Sequence, residues 1–252
     1  MRAEHDQHGT VRSIKSDGFL LCGHGSRDPV SVADFARIAA GLAPLLAERP
    51  FAYGFMELAE PDLDAAVGTL VAAGAGRILA VPGFLFAARH LREDLPRALA
   101  SAAMHHGVEI ILGRELGPDP RLVAALGDQI SAGEGMALVL VGAGSSDTET
   151  NAGLVALADE LARTHGFAAA VACYASVAEP SVAEAMTTLV AGGHRRSLLL
   201  PWFLTEGSLL GLARTQARAA VGDRAVLVEA PALGAHPLVL ATLADRAREL
   251  TR

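Results

Sequence analysis

The chain has 252 residues, a formal net charge of −7, 51% hydrophobic residues and 4% aromatic residues. This length fits one large α/β domain or two lobes of about 120 residues. The negative charge argues against a broad positively charged surface that binds nucleic acid or anionic membranes. An anionic ligand must therefore be bound by local cations and backbone N–H groups.

Residues 1–17 are polar, contain His5 and His8, and lack an apolar segment, so we expect a disordered tail rather than a signal peptide. Cys22 and Cys173 lie in or beside apolar runs, which favours buried thiols in a reducing compartment over a disulfide framework. No apolar stretch reaches the roughly 18 residues that a membrane-spanning helix needs. We therefore expect a cytoplasmic protein without membrane partners.

Apolar runs typical of buried strands alternate along the chain with segments of helical periodicity. The predicted strands are 18–22, 52–56, 77–81, 108–112, 137–141, 168–174, 197–200 and 225–228. The predicted helices are 32–46, 62–73, 93–105, 150–164 and 181–191. This alternation predicts an α/β fold of two similar lobes, each a four-stranded parallel sheet flanked by helices.

The sequence contains two copies of one unit. Residues 23–28, Gly-His-Gly-Ser-Arg-Asp, match residues 142–147, Gly-Ala-Gly-Ser-Ser-Asp, at a displacement of 119 positions from Gly23 to Gly142. The same displacement aligns 59–61 with 178–180 and 82–85 with 201–204. Three matches at one displacement indicate an internal duplication.

The boundary between the copies falls at residues 131–135, whose Ser-Ala-Gly-Glu-Gly composition is typical of a linker. The sequence therefore predicts an N-terminal tail at 1–17, a first lobe at 18–133 and a second lobe at 134–252. We expect a monomer in which the two lobes form an intramolecular pseudo-dimer.

Three candidate metal ligands follow predicted strands of the first lobe. His24 follows the first strand, Glu57 follows the second, and His90 lies beyond the third. Ligands of open parallel sheets gather at the carboxyl ends of the strands, so these side chains are expected to converge. Two imidazoles and a carboxylate form a suitable ligand set for a divalent transition metal.

The second copy provides an internal control for these ligands. The positions displaced by 119 residues hold Ala143, Ser176 and Leu209, none of which is a comparable metal ligand. The surrounding Gly, Pro, Phe and Leu residues recur in both copies. The fold therefore requires the recurring residues, whereas the triad is better explained by function.

The motifs around these ligands resemble those of a known enzyme family. They are Gly-His-Gly-Ser-Arg at 23–27, Phe-Met-Glu-Leu-Ala at 55–59, and Val-Pro at 81–82, followed by His90 and Asp94. They are similar to the sirohydrochlorin chelatases of the CbiX and SirB type. The second copy extends the resemblance over nearly the whole chain, as in the long, two-lobed members.

The resemblance implies ATP-independent insertion of Co²⁺, or of Fe²⁺ in siroheme biosynthesis, into sirohydrochlorin held between the lobes. It implies that His24 and His90 handle the metal and that Glu57 is the accompanying carboxylate. The divalent metal is then a substrate, with Co²⁺ favoured and Fe²⁺ or Ni²⁺ as alternatives, and no organic cofactor is expected.

Sirohydrochlorin is rich in carboxylates, so its binding requires donors around the cleft. Arg27, Arg89 and Arg92 lie beside the predicted ligands, and the turn containing Gly25 and Ser26 leads into a helix whose amides can face an anion. We interpret all five as substrate-binding candidates. The alternative, exposed arginines at helix starts, stays open.

The motifs differ from those of two other enzyme classes. Gly23 replaces the phosphate-gripping arginine of histidine phosphatases, and no complete G-x-G-x-x-G follows the first strand. His105 and His106 precede Gly107 at a predicted helix end, where imidazolium complements the helix dipole, so we interpret them as structural. A non-enzymatic carrier of cobalt or nickel that uses the same triad remains the alternative function.

Overall fold

The computed structural model describes residues 16–46, 49–86, 89–131 and 133–251, with only the backbone described at 89–91. Its strands are β1 (Ser16–Gly23), β2 (Phe51–Phe55), β3 (Ala75–Pro82), β4 (Glu109–Leu112), β5 (Ala137–Gly142), β6 (Ala169–Tyr174), β7 (Arg196–Pro201) and β8 (Val226–Glu229). Its α-helices are α1 (Pro29–Leu42), α2 (Leu63–Ala72), α3 (Arg89–His106), α4 (Pro120–Gly127), α5 (Thr148–His165), α6 (Val182–Ala191), α7 (Ser208–Val221) and α8 (Pro237–Glu249).

The strands form two parallel four-stranded sheets of identical topology, in the orders β2-β1-β3-β4 and β6-β5-β7-β8. Gly23 of β1 pairs with Phe55 of β2, and Cys22 pairs with Pro82 of β3. The carboxyl ends of these three strands therefore lie side by side. The predicted fold of two similar α/β lobes is confirmed.

Several element boundaries differ from the sequence predictions. Strand β1 begins at Ser16, two residues before the expected start at Gly18, and the rest of the expected tail, residues 1–15, lies outside the described residues. Helices α4, α7 and α8 were not predicted. Proline occupies the first turn of α4 and of α8, after the N-cap residues Asp119 and His236. Proline at this position is a helix-start signal, which hydrophobic periodicity does not contain.

A central apolar core joins the two sheets. Successive residues of β1 face opposite sides, so Leu21 lies in the central core while Leu20 packs in a separate outer core that includes residues of α2 and α3. In the second lobe Leu140 joins the central core and Val139 packs in the outer core with residues of α6 and α7. Both faces of each sheet are buried, which explains the continuous apolar strand sequences.

The C-terminal helix crosses back to the first lobe. Helix α8 packs against α1, α4 and β3. Its Arg246 is 4% exposed and donates to the carbonyl oxygens of Glu115 and Leu116, at 3.2 and 2.7 Å, and to the Asp119 carboxylate at 3.1 Å. The two copies are therefore consecutive in sequence but share this helix in space.

One apolar segment is longer than the sequence analysis expected. Pro29–Leu46, which contains α1, has the length and composition of a membrane span among the described residues. Phe35, Ile38 and Leu42 on one face of this helix are buried in the central core. The segment is thus accounted for as a core helix that packs against the sheets.

Candidate functional site

His24 lies in the tight turn that connects β1 to α1. Asp28 caps α1 by accepting a hydrogen bond from the N–H of Val30 at 2.9 Å, and the Ser26 hydroxyl accepts one from the N–H of Asp28 at 3.0 Å. Gly25 has a φ of 95°, and a Cβ atom there would lie 1.7 Å from the carbonyl oxygen of Glu57. The turn therefore requires glycine and fits closely against the segment that follows β2.

Backbone hydrogen bonds bring Glu57 beside His24. The N–H of Met56 donates to Gly23 O at 2.9 Å, and the N–H of Glu57 donates to His24 O at 3.1 Å. Nε2 of His24 lies 3.5 Å from Oε1 of Glu57, and the two side chains are 44% and 55% exposed. An imidazole and a carboxylate thus meet at a surface that solvent and ligand can reach.

The tautomer of His24 decides what this pair can do. Nδ1 lies 3.2 Å from the carbonyl oxygen of Gly25. When Nδ1–H donates to that carbonyl, the lone pair of Nε2 lies on the side of the Glu57 carboxylate. In this form Nε2 can ligate a metal ion or accept a proton.

The remaining predicted site residues are placed less completely. His90 and Arg89 lie in the first turn of α3, but their side chains are outside what the structure describes. Arg27 and Arg92 are exposed, and neither lines the cavity next to His24. Their contacts with a substrate remain predictions, as does the participation of His90.

A cavity of about 320 Å³ lies between the lobes and reaches His24. Trp202 of the second lobe packs on Phe86 of the first, with ring centroids 5.6 Å apart. The cavity is mostly apolar with a few polar groups, the usual composition of a site for an organic ligand. Its second-lobe wall includes Ala143, Asn151, Leu154, Tyr174 and Trp202.

Polar contacts between the lobes hold one side of the cleft. The buried Asp34 of α1 accepts a hydrogen bond from the N–H of Glu206 at 2.7 Å. The hydroxyl of Ser208 donates to Asp28 at 2.8 Å, and this bond together with the N–H of Val30 keeps the pKa of Asp28 below its usual range. The loop after β7 is thereby fixed to the helix that follows His24.

The cysteines are not candidate thiolate ligands. Cys22 and Cys173 are both buried and unbonded to each other, as the sequence predicted. Burial raises the pKa of the Cys22 thiol well above its usual range and raises the pKa of Cys173 to about 12. Both stay protonated near neutral pH, so neither offers the thiolate that binds a metal ion.

The corresponding site in the second lobe has the same backbone and lacks both functional groups. The N–H of Ala175 donates to Gly142 O at 2.9 Å, and the N–H of Ser176 donates to Ala143 O at 3.0 Å. Gly144 has a φ of 90°, and a Cβ atom there would lie 1.9 Å from Ser176 O. The Ser176 hydroxyl bonds back to Ala143 O at 3.2 Å.

The sequence analysis placed Trp202 at the cleft but missed Leu154 and Tyr174 of the second-lobe wall. Tyr174 and Leu154 occupy the positions of Phe55 and Phe35 in the first lobe, so the internal duplication already contained the signal. Their apolar character is also that of ordinary core residues, which is why periodicity alone did not single them out.

The family model of CbiX matches residues 18–132 and again residues 137–250. The sirohydrochlorin ferrochelatase of Bacillus subtilis is 24% identical over 235 residues, which cover 91% of this chain and 90% of that protein. The sirohydrochlorin cobaltochelatase of Methanothermobacter thermautotrophicus is 31% identical over 134 residues, covering 46% of this chain and 91% of that protein. The second relative is thus about as long as one lobe.

Solved structures share the fold. SirB from Bacillus subtilis subspecies spizizenii in complex with cobalt superposes with a TM-score of 0.78 at 24% identity, covering 93% of this chain and 94% of that one. SirB from Bacillus subtilis with Fe³⁺ gives a TM-score of 0.79 at 24% identity, covering 93% of this chain and 95% of that one. These similarities show that the two-lobed architecture is common to the three chains.

Proposed function

The chain belongs to the CbiX family, and we propose that it is an ATP-independent chelatase that inserts a divalent metal ion into sirohydrochlorin. The observation that carries the proposal is the approach of His24 Nε2 to within 3.5 Å of the Glu57 carboxylate at the edge of an apolar cleft. Relatives over most of the chain, or over one lobe, are named sirohydrochlorin ferrochelatase and sirohydrochlorin cobaltochelatase.

We assign the metal-handling role to His24, Glu57 and His90. The position of α3 supports the inclusion of His90, because Asp94 of α3 lines an open pocket with Glu57 and residues four apart share a helix face. Position 90 lies one helical turn before Asp94, which supports the assignment of His90 to the same site. This ligand set binds a divalent transition metal while leaving coordination positions for water or the macrocycle.

Insertion of a divalent ion requires that the macrocycle lose two pyrrole N–H protons, one for each positive charge of the ion. In the proposed reaction His24 Nε2 and His90 present the ion to the ring. As the four nitrogens bind the ion, the two N–H bonds of the macrocycle break, and each proton passes to an imidazole or to the Glu57 carboxylate. Glu57 also offsets the charge of the ion before transfer.

The cleft is proposed to hold the macrocycle between the lobes. Phe84 and Leu85 of the first lobe and Trp202 of the second provide apolar and aromatic surface for the ring. The carboxylates of the substrate extend to the rim, where Arg27, Arg89, Arg92 and the turn at Gly25 and Ser26 are the proposed donors. The first lobe, 18–133, then provides the chemistry, and the second, 134–252, provides the opposing wall.

We favour Co²⁺ as the physiological metal and cobalamin biosynthesis as the pathway, with Fe²⁺ and siroheme as the alternative. Imidazole and carboxylate ligands accept both ions, and the relatives include enzymes named for each. We further propose a cytoplasmic monomer, since the duplicated lobes already enclose a cleft within one chain and the buried cysteines are unpaired.

The proposal is tested by mixing purified protein with sirohydrochlorin and Co²⁺, Fe²⁺ or Ni²⁺ in turn, under anaerobic conditions and without ATP. The absorption spectrum of the tetrapyrrole reports insertion directly. We expect insertion well above the rate without protein, with Co²⁺ giving the highest kcat/KM. Metal binding without accelerated insertion for any of these ions would contradict the enzymatic function and favour a carrier.

A further inference from the structure

Two histidines and an aspartate converge where α2 packs against α3. Nδ1 of His105 lies 3.0 Å from both carboxylate oxygens of Asp64, and Nε2 of His106 lies 3.3 Å from Oδ1 of the same residue. One ligand atom from each of the three residues lies within 4.8 Å of the others. We infer that these residues form a second divalent-cation site, on the first lobe and outside the cleft.

The separations fit coordination of a shared ion. Metal bonds of about 2.0–2.1 Å to nitrogen or oxygen place neighbouring ligand atoms about 3.0–3.4 Å apart in tetrahedral or octahedral geometry. Both imidazole nitrogens already lie at such distances from an Asp64 oxygen. The two imidazole nitrogens lie within 4.8 Å of each other, so binding of one ion by all three residues requires side-chain rotation to bring these nitrogens to coordination distance.

His106 provides an independent indication of a ligand. Its Nε2 atom is buried, and its contact with Asp64 Oδ1 at 3.3 Å lacks the geometry of a well-formed hydrogen bond. The ring is held against α2 at Gly68, where a Cβ atom would lie 2.9 Å from Cε1 of His106. A buried polar nitrogen without a hydrogen bond is uncommon in folded proteins, and a bound cation would satisfy it.

The second lobe shows that helix packing does not require this cluster. Helices α6 and α7 pack together as α2 and α3 do. However, Ala183 stands at the position of Asp64, and the segment 208–225, which contains α7, has no histidine. The interpretation of His105 and His106 as helix-end residues explains the exposed His105, but it does not account for the burial of His106 Nε2 against the Asp64 carboxylate.

The ligand chemistry defines the class of ion. Two imidazoles with one carboxylate suit Zn²⁺, Ni²⁺ or Co²⁺, whereas Mg²⁺ and Ca²⁺ prefer sites made of oxygen ligands. Three protein ligands leave the remaining positions to water. None of the three residues lines the cavity that reaches His24, so an ion here does not contact the proposed tetrapyrrole site.

The test is Zn²⁺ binding to the full chain, by equilibrium dialysis and calorimetry, in an H24A/H90A background that removes the proposed cleft ligands. We expect Asp64→Asn and His106→Gln each to lose one bound ion per chain and the rise in Tm that Zn²⁺ causes. His165→Gln, at the end of α5, is the matched control and should bind as the parent does. Circular dichroism confirms that each variant is folded.

Unchanged Zn²⁺ stoichiometry and affinity in both Asp64→Asn and His106→Gln would overturn the inference. A second measurement separates this site from the cleft. With His24 and His90 intact, Asp64→Asn should insert metal into sirohydrochlorin at the parental rate. Loss of insertion in this folded variant would contradict a separate site, whereas failure of the parent to insert metal would bear only on the proposed function.

Discussion

At the end of β1 the chain places His24 beside Glu57, and at the corresponding end of β5 it places Ala143 beside Ser176. The backbone bonds around the two pairs are the same, including the pair donated to Gly23 and His24 in one lobe and to Gly142 and Ala143 in the other. The turn and strand geometry is therefore maintained without the imidazole and the carboxylate. Folding therefore does not account for their presence in the first lobe, and the proposed chemistry does.

The second lobe differs in what it offers to the shared cavity. At the positions that correspond to His24 and Glu57, the Ser176 hydroxyl donates a hydrogen bond to Ala143 O. Tyr174 and Trp202 present aromatic surface to the cavity. Gly83 stands where the second lobe has Trp202. In the proposed function, one common framework therefore provides a reactive side in the first lobe and an apolar wall in the second.

The largest expected effect comes from removing the reactive side. His24→Ala should lower kcat for metal insertion by about 100-fold or more, because it removes a metal ligand and a proton acceptor together. Its free energy of unfolding should change by no more than about 0.5 kcal/mol, because the side chain is exposed. Insertion assays and urea denaturation measure the two quantities.

Ser176→Ala is the matched control in the second lobe and should keep parental insertion. Equal loss of insertion in both variants would contradict this difference between the lobes, because it would show that the second lobe also takes part in the reaction. Near-parental insertion by His24→Ala would remove His24 from the mechanism.

The framework itself should respond equally in the two lobes. Gly25→Ala and Gly144→Ala each put a Cβ atom within 2 Å of a backbone carbonyl oxygen, at 1.7 and 1.9 Å, and at positive φ. Each should lower the free energy of unfolding by about 3 kcal/mol, through backbone strain and displacement of the neighbouring segment. Urea denaturation of the two variants gives the comparison.

Only Gly25→Ala displaces Glu57, so the folded fraction of that variant should also lose insertion, while folded Gly144→Ala should retain it. A large stability cost in one lobe and none in the other would show that the two turns are not equivalent.

The junction between the lobes should depend on pH through Asp119. Hydrogen bonds from Arg121, with the nearby Arg246, lower the pKa of this carboxyl to about 2, although burial opposes the shift. The depressed pKa stabilises the fold above the unfolded value near 4, and this stability is lost as pH falls towards 2. Asp119→Asn should therefore lower the free energy of unfolding at pH 7 by about 2 kcal/mol.

The difference between Asp119→Asn and the parent should shrink as pH is lowered from 4 to 2, as measured by urea denaturation at each pH. His236 caps the corresponding helix of the second lobe in place of an aspartate, so His236→Asn should leave the steep acid limb of the parent unchanged. A constant difference across this pH range would show that the carboxylate charge of Asp119 does not stabilise the junction.

The sequence was sufficient to predict the two sheets and the proximity of His24 and Glu57 at the ends of neighbouring strands. Strand runs such as that of β5 are apolar on both faces, which marks buried parallel strands, and strand ends locate His24 and Glu57 once the strand order is known. The duplication then indicated that the fold does not require His24 and Glu57, because Ala143 and Ser176 occupy the corresponding positions of the second copy.

Contacts between distant segments could not be predicted in this way. The return of α8 to the first lobe depends on Arg246 reaching the carbonyl groups of Glu115 and Leu116, about 130 positions earlier, which no local pattern encodes. The approach of Asp64 to His106 is likewise a consequence of how α2 packs on α3. The helix-end position of the histidine alone favoured a different interpretation.

The smallest expected effect concerns a single hydroxyl that distinguishes the lobes. Tyr174 donates to the carbonyl oxygen of Asn151 at 2.9 Å, whereas Phe55 at the corresponding position has no hydroxyl. Tyr174→Phe makes the second lobe like the first and should cost about 1 kcal/mol of unfolding free energy by urea denaturation. Because that hydroxyl is already bonded within the wall, KM for sirohydrochlorin should stay within about twofold of the parent. A large rise in KM with unchanged stability would show instead that the Tyr174 hydroxyl binds the substrate, and the second lobe would then contribute specific recognition as well as apolar surface.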